Sequence, residues 1–174
     1  GASLQNLLPL RAGTDRGVAL TPAVSSWFSS GKNQEAIQWL DPQPLEPAER
    51  TRIQDEIARR WFMKDRLAAA DWLVGRATTP AERAHALEQI TFQWTQFDPI
   101  ACGEWLVRQG TDPSASRAMQ IYADRLASSF PADAVTWARS IPDPASREIA
   151  VAKVAERIRR LHPDRAAELL GSGR

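Results

Sequence analysis

Ala69-Ala70-Asp71-Trp72-Leu73 is the stretch that decides the fold, because the chain restates it four more times. Ala36-Ile37-Gln38-Trp39-Leu40 precedes it, and Cys102-Gly103-Glu104-Trp105-Leu106, Ala134-Val135-Thr136-Trp137-Ala138 and Ala166-Ala167-Glu168-Leu169-Leu170 follow. The fourth position of the phrase falls at Trp39, Trp72, Trp105, Trp137 and Leu169, so the interval is 33 twice and then 32 twice. A fixed period of this length belongs to units too small to bury their own apolar face, which do so by stacking on copies of themselves. Within each phrase the small residue precedes the last two positions, a bulky pair in all but the fourth, where Trp137 is followed by Ala138, by three and four residues, the spacing that puts all of them on one helix face.

Each phrase sits on a helix A that is followed by a turn and a longer helix B. Ile53, Ile57 and Trp61 recur every four residues, and Leu87, Ile90 and Trp94 at three and four. Trp61 and Trp94 are separated by the same interval as Trp39 and Trp72, so helix B keeps the register of helix A. Two proline series mark the helix starts: Pro47, Pro80 and Pro113 at intervals of 33, and Pro99, Pro131 and Pro163 at intervals of 32. Proline suits a first helical position because the N–H it lacks would find no partner there. Asp98, Asp112 and Asp143 each precede such a proline as N-caps, and Thr79-Pro80-Ala81-Glu82 reads as a capping box.

Interleaved prolines leave little room for strands, and the predicted class is all-α, an αα-hairpin repeat solenoid, or α-α superhelix, with a repeat of about 32–33 residues. Helices are expected over 22–29, 32–40, 47–62, 65–75, 80–96, 99–108, 113–128, 131–139, 144–160 and 163–170. Residues 1–31 read as an N-terminal arm and capping helix. Residues 32–174 read as one continuous repeat domain, about four αα units plus a terminal helix.

The period and the hairpin unit resemble tetratricopeptide and Sel1-like solenoids over Lys32 to Leu170. The second unit, with Ala69, Trp72, Leu73, Pro80, Arg83, Trp94, Asp98 and Pro99, is similar to uncharacterised bacterial repeats that read small-x-x-Trp-Leu, Pro-x-x-Arg, Trp, Asp-Pro. The glycine and tyrosine of the tetratricopeptide pattern are missing, so the likeness is one of architecture. It implies a repeat scaffold and no particular reaction.

Composition narrows the function classes. At 174 residues, 43% hydrophobic and 25% charged, the chain has ordinary globular material. Its 22 basic and 21 acidic residues nearly cancel, which removes the global field that nucleic-acid binding uses. Arg157, Arg159, Arg160 and Arg165 crowd the last helical region and read as a solvated face. No run of about 18 apolar residues is present, so no membrane insertion by this segment is expected. A single cysteine, Cys102, excludes an internal disulfide and a cysteine zinc site; it occupies the slot that is alanine in the other phrases, and so reads as a small buried residue. His85 and His162 read as surface or capping residues. Glycine-rich phosphate loops, zinc helices and nucleophile elbows are absent, and the chain reads as non-catalytic, without cofactor or metal.

Tryptophans repeated in register are packing residues. Trp27 stands outside the register, and either closes the N-terminal end or anchors a partner. The position before each Trp forms a polar stripe that includes Asp71 and Glu104. Arg50, Arg83, Arg117 and Arg147 form a second stripe near the start of helix B, expected to pair with acids such as Asp65 and Asp98. The candidate partner-binding residues are therefore Asp71, Glu104, Arg83, Arg117 and Trp27. The function expected is a non-catalytic helical scaffold holding a protein or peptide segment in a groove. Two other classes fit the same residues: the helical accessory region of a larger or cell-wall-acting enzyme, and an oligomer-forming structural element.

Overall fold

A computed structural model describes Pro22, Ser26, Trp27 and residues 33–110 and 112–171. Among these residues every regular element is helical. The chain divides into two compact units, Gly1–Arg76 and Ala77–Arg174. The first holds α1 (Asn33–Leu40), α2 (Pro47–Phe62) and α3 (Arg66–Gly75). The second holds α4 (Pro80–Trp94), α5 (Pro99–Arg108), α6 (Ser116–Leu126), α7 (Pro131–Ser140), α8 (Pro144–Leu161) and α9 (Ala166–Gly171). Of the expected helix 22–29 only Pro22, Ser26 and Trp27 are described, and they are helical; the expected arm lies outside the described residues. No described helix is long and apolar enough to cross a membrane.

Helix starts follow the cap chemistry. Asp98 and Asp143 accept from the amides three residues on, Ala101 at 3.0 Å and Ser146 at 2.7 Å. Asp65 caps α3 in the same way through Ala68 at 3.0 Å. Asp112 accepts from Ser114, which starts a 3-10 turn over Pro113–Ala115 before α6; a second such turn, Pro163–Arg165, precedes α9. The expected helices 113–128 and 163–170 thus begin as tighter turns. Thr79 caps α4, accepting from the Glu82 amide at 3.2 Å, while the Glu82 carboxylate reaches one residue further back than a capping box requires, to the Thr78 amide and hydroxyl at 2.7 and 2.8 Å. The reciprocal box stands at the start of α2, where Glu49 accepts from the Glu46 amide at 3.0 Å.

These hydrogen bonds favour the ionised carboxylates. The Glu82 carboxyl is held below its ordinary 4.5, first by the Thr78 amide and then by its hydroxyl. Asp112 and Asp143 are held below 3.8 by Ser114 and Ser146. A carboxyl whose folded value lies below its unfolded value contributes stability that is complete above the unfolded value and is lost as pH falls through the folded one. Thermal melts should therefore lose stability below about pH 4, and the combined E82Q, D112N and D143N variant should flatten that acid limb. A limb unchanged in the variant would assign acid sensitivity to other groups.

Burial follows the period. The small slot of the phrase, Ala36, Ala69, Cys102 and Ala134, is buried from solvent, and so are Leu40, Leu106 and Ala138 four residues on. In the second unit α4 packs on α6 and α6 on α8. Each helix A there packs against the two helices B that flank it in sequence: α5 against α4 and α6, and α7 against α6 and α8. Two ring pairs link a helix B to the next helix A, Trp61 with Trp72 at 5.9 Å and Trp94 with Trp105 at 5.7 Å. Trp27 makes the same kind of pair with Trp39, at 5.8 Å and edge-on. It precedes Trp61 by just one position more than Trp61 precedes Trp94, and its ring takes the helix B role.

Candidate functional site

The ring pairing changes at Trp137, and that change builds a groove. One period after Trp94, the helix B tryptophan slot holds Ala127. Trp137 is met instead by Tyr122, with centroids 4.7 Å apart and planes at 72°. To reach this position the Tyr122 hydroxyl crosses over α5 and donates to the Pro99 carbonyl at 2.8 Å. It passes directly above Gly103, where a Cβ would sit 2.3 Å from the oxygen and 2.9 Å from Cζ. Glycine is disfavoured inside a helix by about 1 kcal/mol relative to alanine; at this position it supplies the space that the phenol fills. Burial is the main cause that pushes the Tyr122 phenol up to about 12, so the hydroxyl stays a neutral donor.

With Tyr122 at its floor, the space between α5 and α7 is an open groove of about 360 Å³. Ile100, Gly103, Glu104 and Val107 line it from α5, Leu126 from α6, and Asp133 and Trp137 from α7, with Phe130 at the turn between α6 and α7. Ile100 and Val107 are each 66% exposed and Phe130 is 40% exposed. Large apolar side chains left in water around one depression are the surface feature that marks a binding site. Two exposed carboxylates, Glu104 and Asp133, flank this apolar surface. Neither makes a hydrogen bond or ion pair with a described residue, and their charge is available to meet a cation.

The five candidate residues fall in different places. Glu104 belongs to the groove. Arg83 is a structural tie: its guanidinium donates to the carbonyl and side-chain oxygens of Gln109 at 3.2 and 3.3 Å, with Asp112 at 3.9 Å. Arg117 lies on the opposite side of α6 and donates to Gln120 Oε1 at 2.8 Å. Asp71 is exposed on α3 in the first unit, and Trp27 packs on Trp39 there. Of the arginine stripe expected to pair with acids, Arg83 meets Asp112, but Asp65 and Asp98 cap helices, while Arg50 and Arg147 donate to loop carbonyls, Gln43 at 2.7 Å and Ile141 at 3.0 Å.

Neither Cys102 nor His162 extends the site. Burial pushes the Cys102 thiol up to about 11, so it is protonated at neutral pH. His162 points its Nε2 at the carbonyls of Ala127 and Ser128, both at 3.1 Å, tying the end of α8 to the end of α6. Among the described residues no three His, Cys, Asp or Glu side chains gather as a metal site.

No family model, curated protein or solved structure matches this chain. The apolar wall of the groove is open to sequence reading through a signal that counting tryptophans passes over. Leu67 and Ile100 both stand five residues before the Trp, Phe97 and Phe130 are one period apart, and all four are exposed. Apolar residues held in register but outside the buried slots form a second pattern laid over the first.

Proposed function

We propose that the protein is a non-catalytic αα-repeat scaffold, of the tetratricopeptide-like kind in its architecture, that binds a segment of another protein in the groove between α5 and α7. The fixed period of the phrase and the packing of α5 and α7 each between two helices B support the repeat reading. The binding reading is carried by one observation: Ile100, Val107 and Phe130 surround a depression flanked by the carboxylates of Glu104 and Asp133.

Charge complementarity defines the occupant. Apolar side chains of the segment cover Ile100, Val107 and Phe130, and a lysine or arginine lies between the two carboxylates. Burying apolar area supplies the affinity, and the cation sets register and excludes acidic segments. Helix A surfaces of stacked hairpins are suited to such segments because they present a continuous, rigid wall.

Selection of a random peptide library against the purified protein tests this reading. Enriched peptides should combine apolar residues with at least one Lys or Arg, and the E104K/D133K double variant should bind them at least ~10-fold more weakly, since like charges then face each other. Enrichment of acidic peptides, or equal binding by the double variant, would overturn it.

A further inference from the structure

We propose a second, separate site: the cleft on the other side of α6 binds a small anion carrying two or more negative charges of the phosphate type. The cleft lies between α4, α6 and α8 and has a volume of about 350 Å³, within the range of small-molecule pockets. Arg117, Arg125, Lys153 and Arg157 line it with a single carboxylate, Asp124. Four cations against one anion leave three net positive charges in one cleft, on a chain whose total is +1. The charge of the whole molecule therefore hides a strongly basic pocket.

Three of the four cations are already held in place. Arg117 donates to Gln120 Oε1 at 2.8 Å, and Gln120, itself buried, is fixed by donating to the Ser146 carbonyl at 3.0 Å. Arg157 is anchored on Asp124, to its carbonyl at 3.1 Å and its carboxylate at 3.2 Å. Arg125 is laid over the Phe92 ring at 4.0 Å. A guanidinium has five donors, and these ties use only one or two of them. The remaining N–H groups are preorganised, so a ligand binds without first ordering the side chains. Lys153, one helical turn before Arg157 on the same face of α8, makes no hydrogen bond or ion pair with a described residue. A single carboxylate would leave the cleft positive; a pyrophosphate-like group matches both its charge and the guanidinium forks.

Calorimetric titration with inorganic pyrophosphate, alongside sedimentation with vesicles containing phosphatidic acid, separates a free anion from a lipid headgroup as the source of that chemistry. Saturable binding of pyrophosphate is expected, weakening with added salt. Lys153→Ala should weaken it ~10-fold, whereas Arg160→Ala, an exposed cation on α8 outside the cleft, should not change it. Melting temperature gives an independent readout: Lys153→Ala should melt no lower than the natural protein without ligand, and gain less from pyrophosphate. Vesicle binding alone, lost in Lys153→Ala, would assign the group to a lipid surface. No saturable binding of either probe, or equal binding by the Lys153 and Arg160 variants, would overturn the proposal. Because this cleft and the α5–α7 groove share no residue, either site can fail its test without the other.

Discussion

Replacing Trp105 by alanine is expected to destabilise the protein by about 3–5 kcal/mol, the range for deleting a large buried aromatic. Trp105 has no solvent exposure, and its ring lies 5.7 Å from that of Trp94. Cys102 and Leu106, equally buried on the same helix, cannot move into the gap without breaking the packing of α5 on α4 and α6. The loss therefore combines transfer free energy with a cavity. Total stability of a domain is about 5–15 kcal/mol, so the urea midpoint should fall by about a fifth or more. The same truncation at Trp137, partly exposed at the edge of the groove, should cost clearly less. Equal effects at the two positions would mean that the repeated tryptophans do not differ in role.

The second large effect is expected at Gly103. Alanine there gains about 1 kcal/mol of helix propensity, yet the variant should be less stable by about 1–3 kcal/mol, the usual cost of overpacking. The new Cβ would lie 2.3 Å from the Tyr122 oxygen. Tyr122 is buried, packed edge-on against Trp137 and hydrogen-bonded to Pro99, so the phenol cannot swing aside without losing those contacts. Removing the hydroxyl relieves the closest contact but leaves Cζ 2.9 Å from the new Cβ, so Gly103→Ala should cost less, without becoming neutral, in a Tyr122→Phe background. Urea unfolding of the two single variants and the double variant measures this coupling. Additive effects would show that the glycine is not there for the phenol.

Both residues show how far sequence reaches. Helix starts are legible to within a residue or two because proline acts locally, with a preceding Asp or Thr cap at α4, α5 and α8: α2, α4, α5, α7 and α8 all begin at the expected proline. The small slot is legible because Ala36, Ala69, Cys102 and Ala134 hold one position in the period. Trp27 escapes a strict count of that period because a single extra residue shifts it, although its ring pairs with Trp39 as Trp61 does with Trp72.

The groove is harder to see, because it arises where the pattern breaks. Once Ala127 replaces a tryptophan, the partner of Trp137 has to come from elsewhere, and only packing determines that Tyr122 supplies it from five residues earlier. Glu104 belongs to the polar stripe and does line the groove; its counterpart Asp133 lies outside that stripe, in the first turn of α7. Arg83 and Arg117 look alike in sequence. The first is engaged with Gln109 and Asp112, and the second belongs to the cleft between α4, α6 and α8.

The proposed partner segment occupies the space between α5 and α7. Amide chemical-shift mapping during titration of a selected basic and apolar peptide tests it most directly. Saturable shifts are expected at Ile100, Gly103, Glu104, Val107 and Asp133 and along the rest of the α5–α7 wall, with Lys153 and Arg157 unmoved. Shifts confined to α4, α6 and α8 around the basic cleft, with the α5–α7 wall silent, would contradict it.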